Sequence, residues 1–279
     1  MQSIPELTLR SGIQLPHIGL GTYSQKGQAG AAAIKIGIQL GYRLLDSAFN
    51  YENEGTLGAA IHSCGIPREE LLVTSKLPGR HHAYKQAVQT IEESLFRAGL
   101  SYYDLYLIHW PNPRLDLYVE AWQALLDAKK RGLIRVAGVC NFLPEHLERL
   151  QADTGELPEV NQIELHPYFN QSEVREYHQK NHILIESWSP LGRGSDLLSN
   201  PKIIEIAKKY EKSPSQIVLR WHIQLGVIPI PKGSTEQHLL ENLSVFDFTL
   251  DKADEDEINL LSRPDGRLHD QNPAVYEEF

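Results

Sequence analysis

Long apolar runs, paired cysteines and a surplus of positive charge are all missing from this 279-residue chain, and each absence removes a class of protein. No stretch approaches the ~20 apolar residues that cross a bilayer, and even Ile228-Pro229-Ile230 is interrupted by proline. Cys64 and Cys140 are its two cysteines, too few for a disulfide scaffold. Met1 to Arg10 lacks the basic start and apolar stretch of a signal peptide, so the expectation is a soluble protein of a reducing cytoplasm. Lys+Arg number 27 against 36 Asp+Glu, a net charge of -9 that argues against nucleic acid or a membrane surface as partners. Low-complexity segments and Pro/Ser-rich linkers are absent too. So is a complete dinucleotide fingerprint: Gly19-Leu20-Gly21-Thr22-Tyr23-Ser24 and Gly192-Arg193-Gly194-Ser195-Asp196-Leu197 each stop one glycine short of G-x-G-x-x-G.

What is present is an alternation. Short apolar runs suited to strands lie at His17 to Leu20, Leu44 to Asp46, Leu71 to Lys76, Asp104 to His109, Ile134 to Cys140, Val160 to Leu165, Ile183 to Trp188 and Val227 to Ile230. Helical patterns separate them, best seen in Tyr84, Ala87, Val88, Ile91, Leu95 and Ala98, whose three-and-four spacing puts them on one face. Leu143-Pro144-Glu145 and Ser213-Pro214-Ser215 read as helix starts. Strands buried on both faces and alternating with helices imply a parallel sheet covered by helices. Eight of them in a chain near the typical ~250 residues predict an α/β fold of the (β/α)8 TIM barrel type, with residues 1–279 as a single domain. Leu7 to Arg10 and Ile13 to Leu15 around Ser11-Gly12 predict an N-terminal β-hairpin before the barrel. The longest interval, between the seventh and eighth strands, is predicted to hold two helices, and the C-terminal tail from Arg263 to Phe279 reads as irregular.

Three strand candidates end on a group that handles protons: Asp46, Lys76 and His109, with the phenol of Tyr51 close behind the first. In a parallel barrel these ends share one rim. Each residue alone has a plainer explanation, since Asp46 could cap a helix, Tyr51 could be a loop aromatic and His109 a satisfied core residue. Lys76 is harder to explain away, because an unpaired ammonium in an apolar strand is costly. Together the four make a proton-delivery site. A free tyrosine, pKa ~10, is too weak an acid for neutral pH. An ammonium about 4 Å away contributes up to ~4 kcal/mol at an effective dielectric of ~20, so Lys76 is expected to bring Tyr51 down into a useful range. Asp46 would orient Lys76, and His109 would hydrogen-bond a carbonyl oxygen. None of these groups can donate a hydride, so a redox cofactor is implied.

The stretch from Gly41 through Asp46 and Tyr51 to Glu54 resembles the first signature of the aldo-keto reductase family, with Ser47 where Thr is usual. Tyr103 to Pro111 is similar to the second signature, and Ile230-Pro231-Lys232-Gly233-Ser234-Thr235 through Glu241-Asn242 to an altered third. Gly138 to Phe142, Asn161 to Pro167 and Ser187 to Gly192 match further family segments in order, and the whole looks most like bacterial diketo-gluconate and glyoxal reductase members. The resemblance implies the tetrad Asp46, Tyr51, Lys76 and His109, and NADPH lying across the barrel mouth without a Rossmann unit, with NADH as a secondary cofactor. It implies cofactor contacts from Gly21, Thr22, Tyr23 and Asp46, and from Cys140, Asn141 and Gln162, the last two holding the nicotinamide carboxamide. Trp188 would stack on the ring and Ser189, Pro190, Leu191, Gly192 and Gly194 would line the pyrophosphate. Ile230, Pro231, Lys232, Gly233, Ser234, His238, Glu241 and Asn242 would surround the adenosine end.

Two departures matter. Cys140 stands where much of the family has Ser, and Gly233 and His238 stand where the 2'-phosphate site uses Ser and Arg, so the preference for NADPH is expected to shrink. Tyr23, Asn50, Tyr51, His109, Trp110 and the tail are expected to face a small carbonyl substrate, with Arg267 or His269 as less favoured carboxylate partners. The reading is a monomeric reductase of aldehydes and ketones with Tyr51 as general acid and no metal. Its rivals are a non-catalytic cofactor-binding regulator of the same fold and a metalloenzyme using His81, His82, His109 or His166.

Overall fold

The computed structural model describes residues 4–233 and 235–279. A short antiparallel hairpin, β1 (Glu6–Thr8) and β2 (Gln14–Pro16), comes first and pairs Leu7 with Leu15. Eight parallel strands follow: β3 (Leu20–Gly21), β4 (Leu44–Asp46), β5 (Leu72–Leu77), β6 (Tyr103–Ile108), β7 (Ile134–Cys140), β8 (Val160–Glu164), β9 (Leu184–Trp188) and β10 (Ile228–Pro229), hydrogen-bonded in that order. The predicted strands are all present, and β4 and β7 have the expected bounds. Helices α1 (Gly27–Leu40), α2 (Glu54–Ser63), α3 (Tyr84–Ala98), α4 (Tyr118–Lys130), α5 (Pro144–Thr154) and α6 (Ser172–Lys180) alternate with strands β3 to β9. As expected, two helices, α7 (Pro201–Tyr210) and α8 (Pro214–Gln224), separate β9 from β10, and α9 (Glu236–Leu243) and α10 (Lys252–Asn259) follow. The tail has one short turn of helix, Leu268–Asp270.

The seam between β3 and β10 closes the barrel. Gly19 N and Gly21 N donate to Pro229 O and Pro231 O, each at 3.0 Å, and Gly21 bridges Lys232 in parallel. A Cβ at Gly19 would lie 2.5 Å from Ile230 Cδ1, and one at Gly21 3.2 Å from Ile230 O. The two glycines that failed as a dinucleotide fingerprint therefore let the last strand approach the first.

Register sorts the side chains. Partners across a parallel ladder share a face, so Leu44, Leu72, Leu105, Val136, Val160, Leu184 and Ile228 point inward near the strand starts. Asp46, Lys76, Cys140, Gln162 and Glu186 point inward further along. Leu9 and Leu15 of the hairpin join the apolar inner layer, and Arg10 donates to the carbonyls of Leu157, Pro158, Asn181 and His182, which precede β8 and β9. The hairpin thus stoppers the end at which the strands begin. Outward residues such as Leu45, Val73, Tyr106, Ile108 and Val139 pack under the helices.

The helix contacts are close. A Cβ at Gly58 of α2 would lie 1.9 Å from the carbonyl oxygen of Ala98 at the end of α3. Gly58→Ala should destabilise the fold by about 3 kcal/mol, the upper end of overpacking costs, because backbone rather than a flexible side chain must move. Urea unfolding would show this as a lowered midpoint.

Candidate active site

At the end where the strands finish, a cleft of about 930 Å³ opens over the polar inner layer. Lys76 lies beneath it, fully buried, with Nζ donating to Asp46 Oδ1 at 2.6 Å and to the Ser47 carbonyl at 2.8 Å. Burial, the largest single influence, pulls this ammonium down, but Asp46, Tyr51 and Cys140 together raise it above the ordinary lysine range. Tyr51 ends the short turn Phe49–Tyr51, which Asn53 ties to the loop after β3 through bonds to Thr22 O (2.7 Å) and Gln25 O (3.0 Å). That turn places the Tyr51 ring centroid 5.2 Å from Lys76 Nζ. His109, one residue beyond β6, sets its ring edge-on to Tyr51 with centroids 5.9 Å apart. The structure therefore brings the four predicted groups together.

The expected tuning of Tyr51 is corrected in sign. Burial is the largest influence and pushes the phenol up to about 12; Lys76 pulls it down and Asp46 pushes it further up. Tyr51 is half-buried and lines the cleft, and at this site desolvation of a phenolate exceeds the attraction of the cation. At neutral pH Tyr51 holds its proton.

The residues expected at the cofactor converge on the same cleft. Gln162 gives its amide hydrogens to Asp46 Oδ2 and Glu186 Oε2, both at 2.8 Å, which leaves its carbonyl oxygen as an acceptor. Asn141, held at φ 63°, donates to His109 O at 3.0 Å and accepts from Trp188 Nε1 at 2.7 Å. Gly21, Tyr23, Asp46, Cys140, Ser189, Pro190, Leu191, Ile230, Pro231 and Lys232 also line the cleft. Burial pushes the Cys140 thiol well up, so it stays neutral. Thr22 is buried behind the wall and donates to Asp46 O at 2.9 Å. Gly192 and Gly194 belong to the loop after Trp188 rather than to the wall, Gly192 packing on Ser195 and Leu197. Gly233 packs on Leu239, His238 is exposed, Glu241 is half-buried and Asn242 is buried beside Tyr42, all just past Lys232. Ser234 lies outside the described residues.

Of the expected substrate contacts, Tyr23, Asn50, Tyr51, His109 and Trp110 all face the cleft. From the tail, His269, Gln271, Tyr276 and Glu278 do so as well, whereas Arg267 stacks on Phe169 at 4.6 Å and does not. Tyr276 packs on Trp110 with centroids 4.5 Å apart. Sequence reasoning missed Arg193, which lies 4.7 Å over the Tyr23 ring, and Ser24, which accepts from Lys232 Nζ at 2.6 Å. It missed Glu186 and Glu278 too. An acid inside the otherwise apolar run Leu184 to Trp188 was a signal for the first; the irregular tail offered none for the second. The adjacent histidines are not alike: His81 is half-buried, whereas His82 is fully buried and pushed down to about 4 by that burial. Among the described residues no three His, Cys, Asp or Glu side chains are grouped to hold a metal ion.

Residues 17–263 match the model of the Aldo/keto reductase family. The chain is 46% identical over 279 residues, 100% of both chains, to 2,5-diketo-D-gluconic acid reductase B of Corynebacterium sp. (strain SHS752001). It is 41% identical over 258 residues, 92% of this chain and 93% of the relative, to methylglyoxal reductase DkgA of Salmonella typhimurium. A crystal structure of a Gox0644 mutant in complex with NADPH is similar with a TM-score of 0.94 and 40% identity, covering 99% of this chain and 100% of that one.

Glu186 provides a pH test of the inner layer. Burial, reinforced by the Asp46 charge, pushes it up to about 7, against the pull of Gln162 and Lys76, and its Oε1 has no partner. The folded protein therefore keeps a proton there that the unfolded chain has already released. The stability linked to it is complete below the ordinary carboxylate range and is lost as the pH rises through about 7. Glu186→Gln, a neutral isostere, should stabilise the protein by up to about 3 kcal/mol near pH ~8.5 and by little near pH ~4, read from chemical denaturation at both.

Proposed function

The chain belongs to the aldo/keto reductase family, and from that premise we propose that it reduces aldehydes and ketones to alcohols with NADPH, Tyr51 acting as general acid. The observation that carries the reading is the convergence of Tyr51, Lys76, Asp46 and His109 at the floor of one cleft. The donor set suits a nicotinamide dinucleotide. Gln162 and Asn141 present amides for a carboxamide, the half-buried Trp188 presents a ring face, and Lys232 puts a cation at the far rim for phosphate. When bound, that cofactor supplies the hydride.

The chain's own residues govern the oxygen. A substrate carbonyl beside Tyr51 and His109 would take hydrogen bonds from both, and negative charge would grow on that oxygen as the carbon is reduced. Tyr51 then transfers its proton. A phenol near 12 still outcompetes an alcohol, whose acidity is close to the ~15.7 of water, so the transfer is downhill although the phenol is not ionised beforehand. Lys76 steadies the phenolate left behind and Asp46 keeps Lys76 charged. Trp110, Tyr23 and Tyr276 give the cleft aromatic walls that suit small aldehydes, dicarbonyls and keto-sugars.

Tyr51→Phe should lower kcat by about 10²- to 10⁴-fold with NADPH affinity nearly unchanged, checked by steady-state assay and fluorescence titration. Undiminished turnover would mean that another group supplies the proton. With Lys232 kept but Gly233 and an exposed His238 beside it, kcat/KM should favour NADPH over NADH by a modest factor, and comparing the two cofactors on one aldehyde measures it.

A further inference from the structure

Glu278, in the irregular tail, is buried at the edge of the cleft and fixed at every polar atom. Its Oε2 accepts from Gly79 N at 2.8 Å and its Oε1 from Asn50 Nδ2 at 2.7 Å. Its backbone N–H and carbonyl pair with Asn112 Oδ1 (3.1 Å) and Nδ2 (2.8 Å). Oε1 also lies 2.7 Å from His109 Nδ1, a close contact off the line of the ring N–H rather than an aligned hydrogen bond. Burial alone would push this carboxyl up, yet His109, Gly79 and Asn50 hold it down to about 2, and it stays ionised.

A carboxylate that close decides the state of the ring. Nδ1 must carry a proton, because a bare nitrogen held 2.7 Å from a carboxylate oxygen, inside van der Waals contact, would set two electron-rich atoms against each other. A neutral His109 would then have a bare Nε2, an acceptor unable to donate to a carbonyl oxygen. Donation from Nε2 therefore requires both nitrogens to be protonated.

We propose that Glu278 is a positioning residue for carbonyl reduction, holding His109 in place as an imidazolium whose Nε2–H is a charged donor to the substrate oxygen. This rests on the reductase reading above. His109 keeps its proton throughout, and the transferred proton comes from Tyr51. The other groups within reach of the pair are Tyr51, edge-on to His109, the buried His82 and Cys140, and Arg80, which holds Asn50 Oδ1 from outside.

Histidine-ring ¹⁵N NMR of the cofactor-free protein, with the His109 signals assigned by loss in His109→Gln, tests the charge state without any turnover. Two protonated nitrogens near pH ~7.5 are expected, with one in Glu278→Gln, which keeps the carbonyl acceptor but removes the charge; a singly protonated ring in the wild type overturns the proposal. In assays, Glu278→Gln should lose about tenfold or more in kcat/KM, mainly through kcat and increasingly as the pH rises above ~6.5, while a missing donor would cost ~10²–10³. Wild-type kcat/KM and pH profile in Glu278→Gln would also overturn it. Absence of wild-type turnover on any carbonyl would instead count against the reductase reading, leaving the NMR outcome to decide the pair.

Discussion

One ion pair sets the terms for the barrel interior. Lys76 and Asp46 are both buried, 2.6 Å apart, and neither charge is tolerable there without the other. Lys76 gives a second bond to the Ser47 carbonyl, Asp46 accepts a second from the Gln162 amide, and Gln162 links onward to Glu186. The pair is therefore the centre of a network in which a phenol, a thiol and a second carboxyl all feel a fixed cation and a fixed anion. Burial raises the energy of every ionised form in that network, and geometry decides which ones persist.

The network exists because polarity changes along the barrel axis. Inward-facing residues near the strand starts are aliphatic, and the same strands two to four residues later carry Asp46, Lys76, Cys140, Gln162 and Glu186. The aliphatic layer holds the strands together while the polar layer is left facing the cleft. The loop beyond β6 then adds His109 and Trp110, and β9 ends on Trp188; His109 and Trp188 are held by neighbouring backbone and by Asn141.

Much of this was legible in the chain because strand periodicity is short and strict. A run such as Leu44-Leu45-Asp46 can place its acid only at the strand's end, and a lysine in Leu71 to Lys76 demands a partner. Gln162 and Cys140 came instead from the resemblance to the family's segments. What failed was whatever depended on enclosure or distant partners. The sign of the shift at Tyr51 follows from how much protein surrounds the site, and the burial of His82 from packing that no local pattern encodes. Glu278 finds its partners 166 to 228 residues away. Its segment has no periodicity from which to infer them. The glycines of Gly19-Leu20-Gly21 were visible, but their use at the seam became evident only when β10 was seen beside β3.

The hairpin stopper has an effect on timing. With Leu9 and Leu15 filling one end, the buried carboxyl of Glu186 is bonded to Gln162, which with Tyr51 lines the open cleft at the other end. Anything long enough to lie over those two side chains acts as a cork. Proton exchange between the inner layer and solvent would then be slower for as long as the occupant stays.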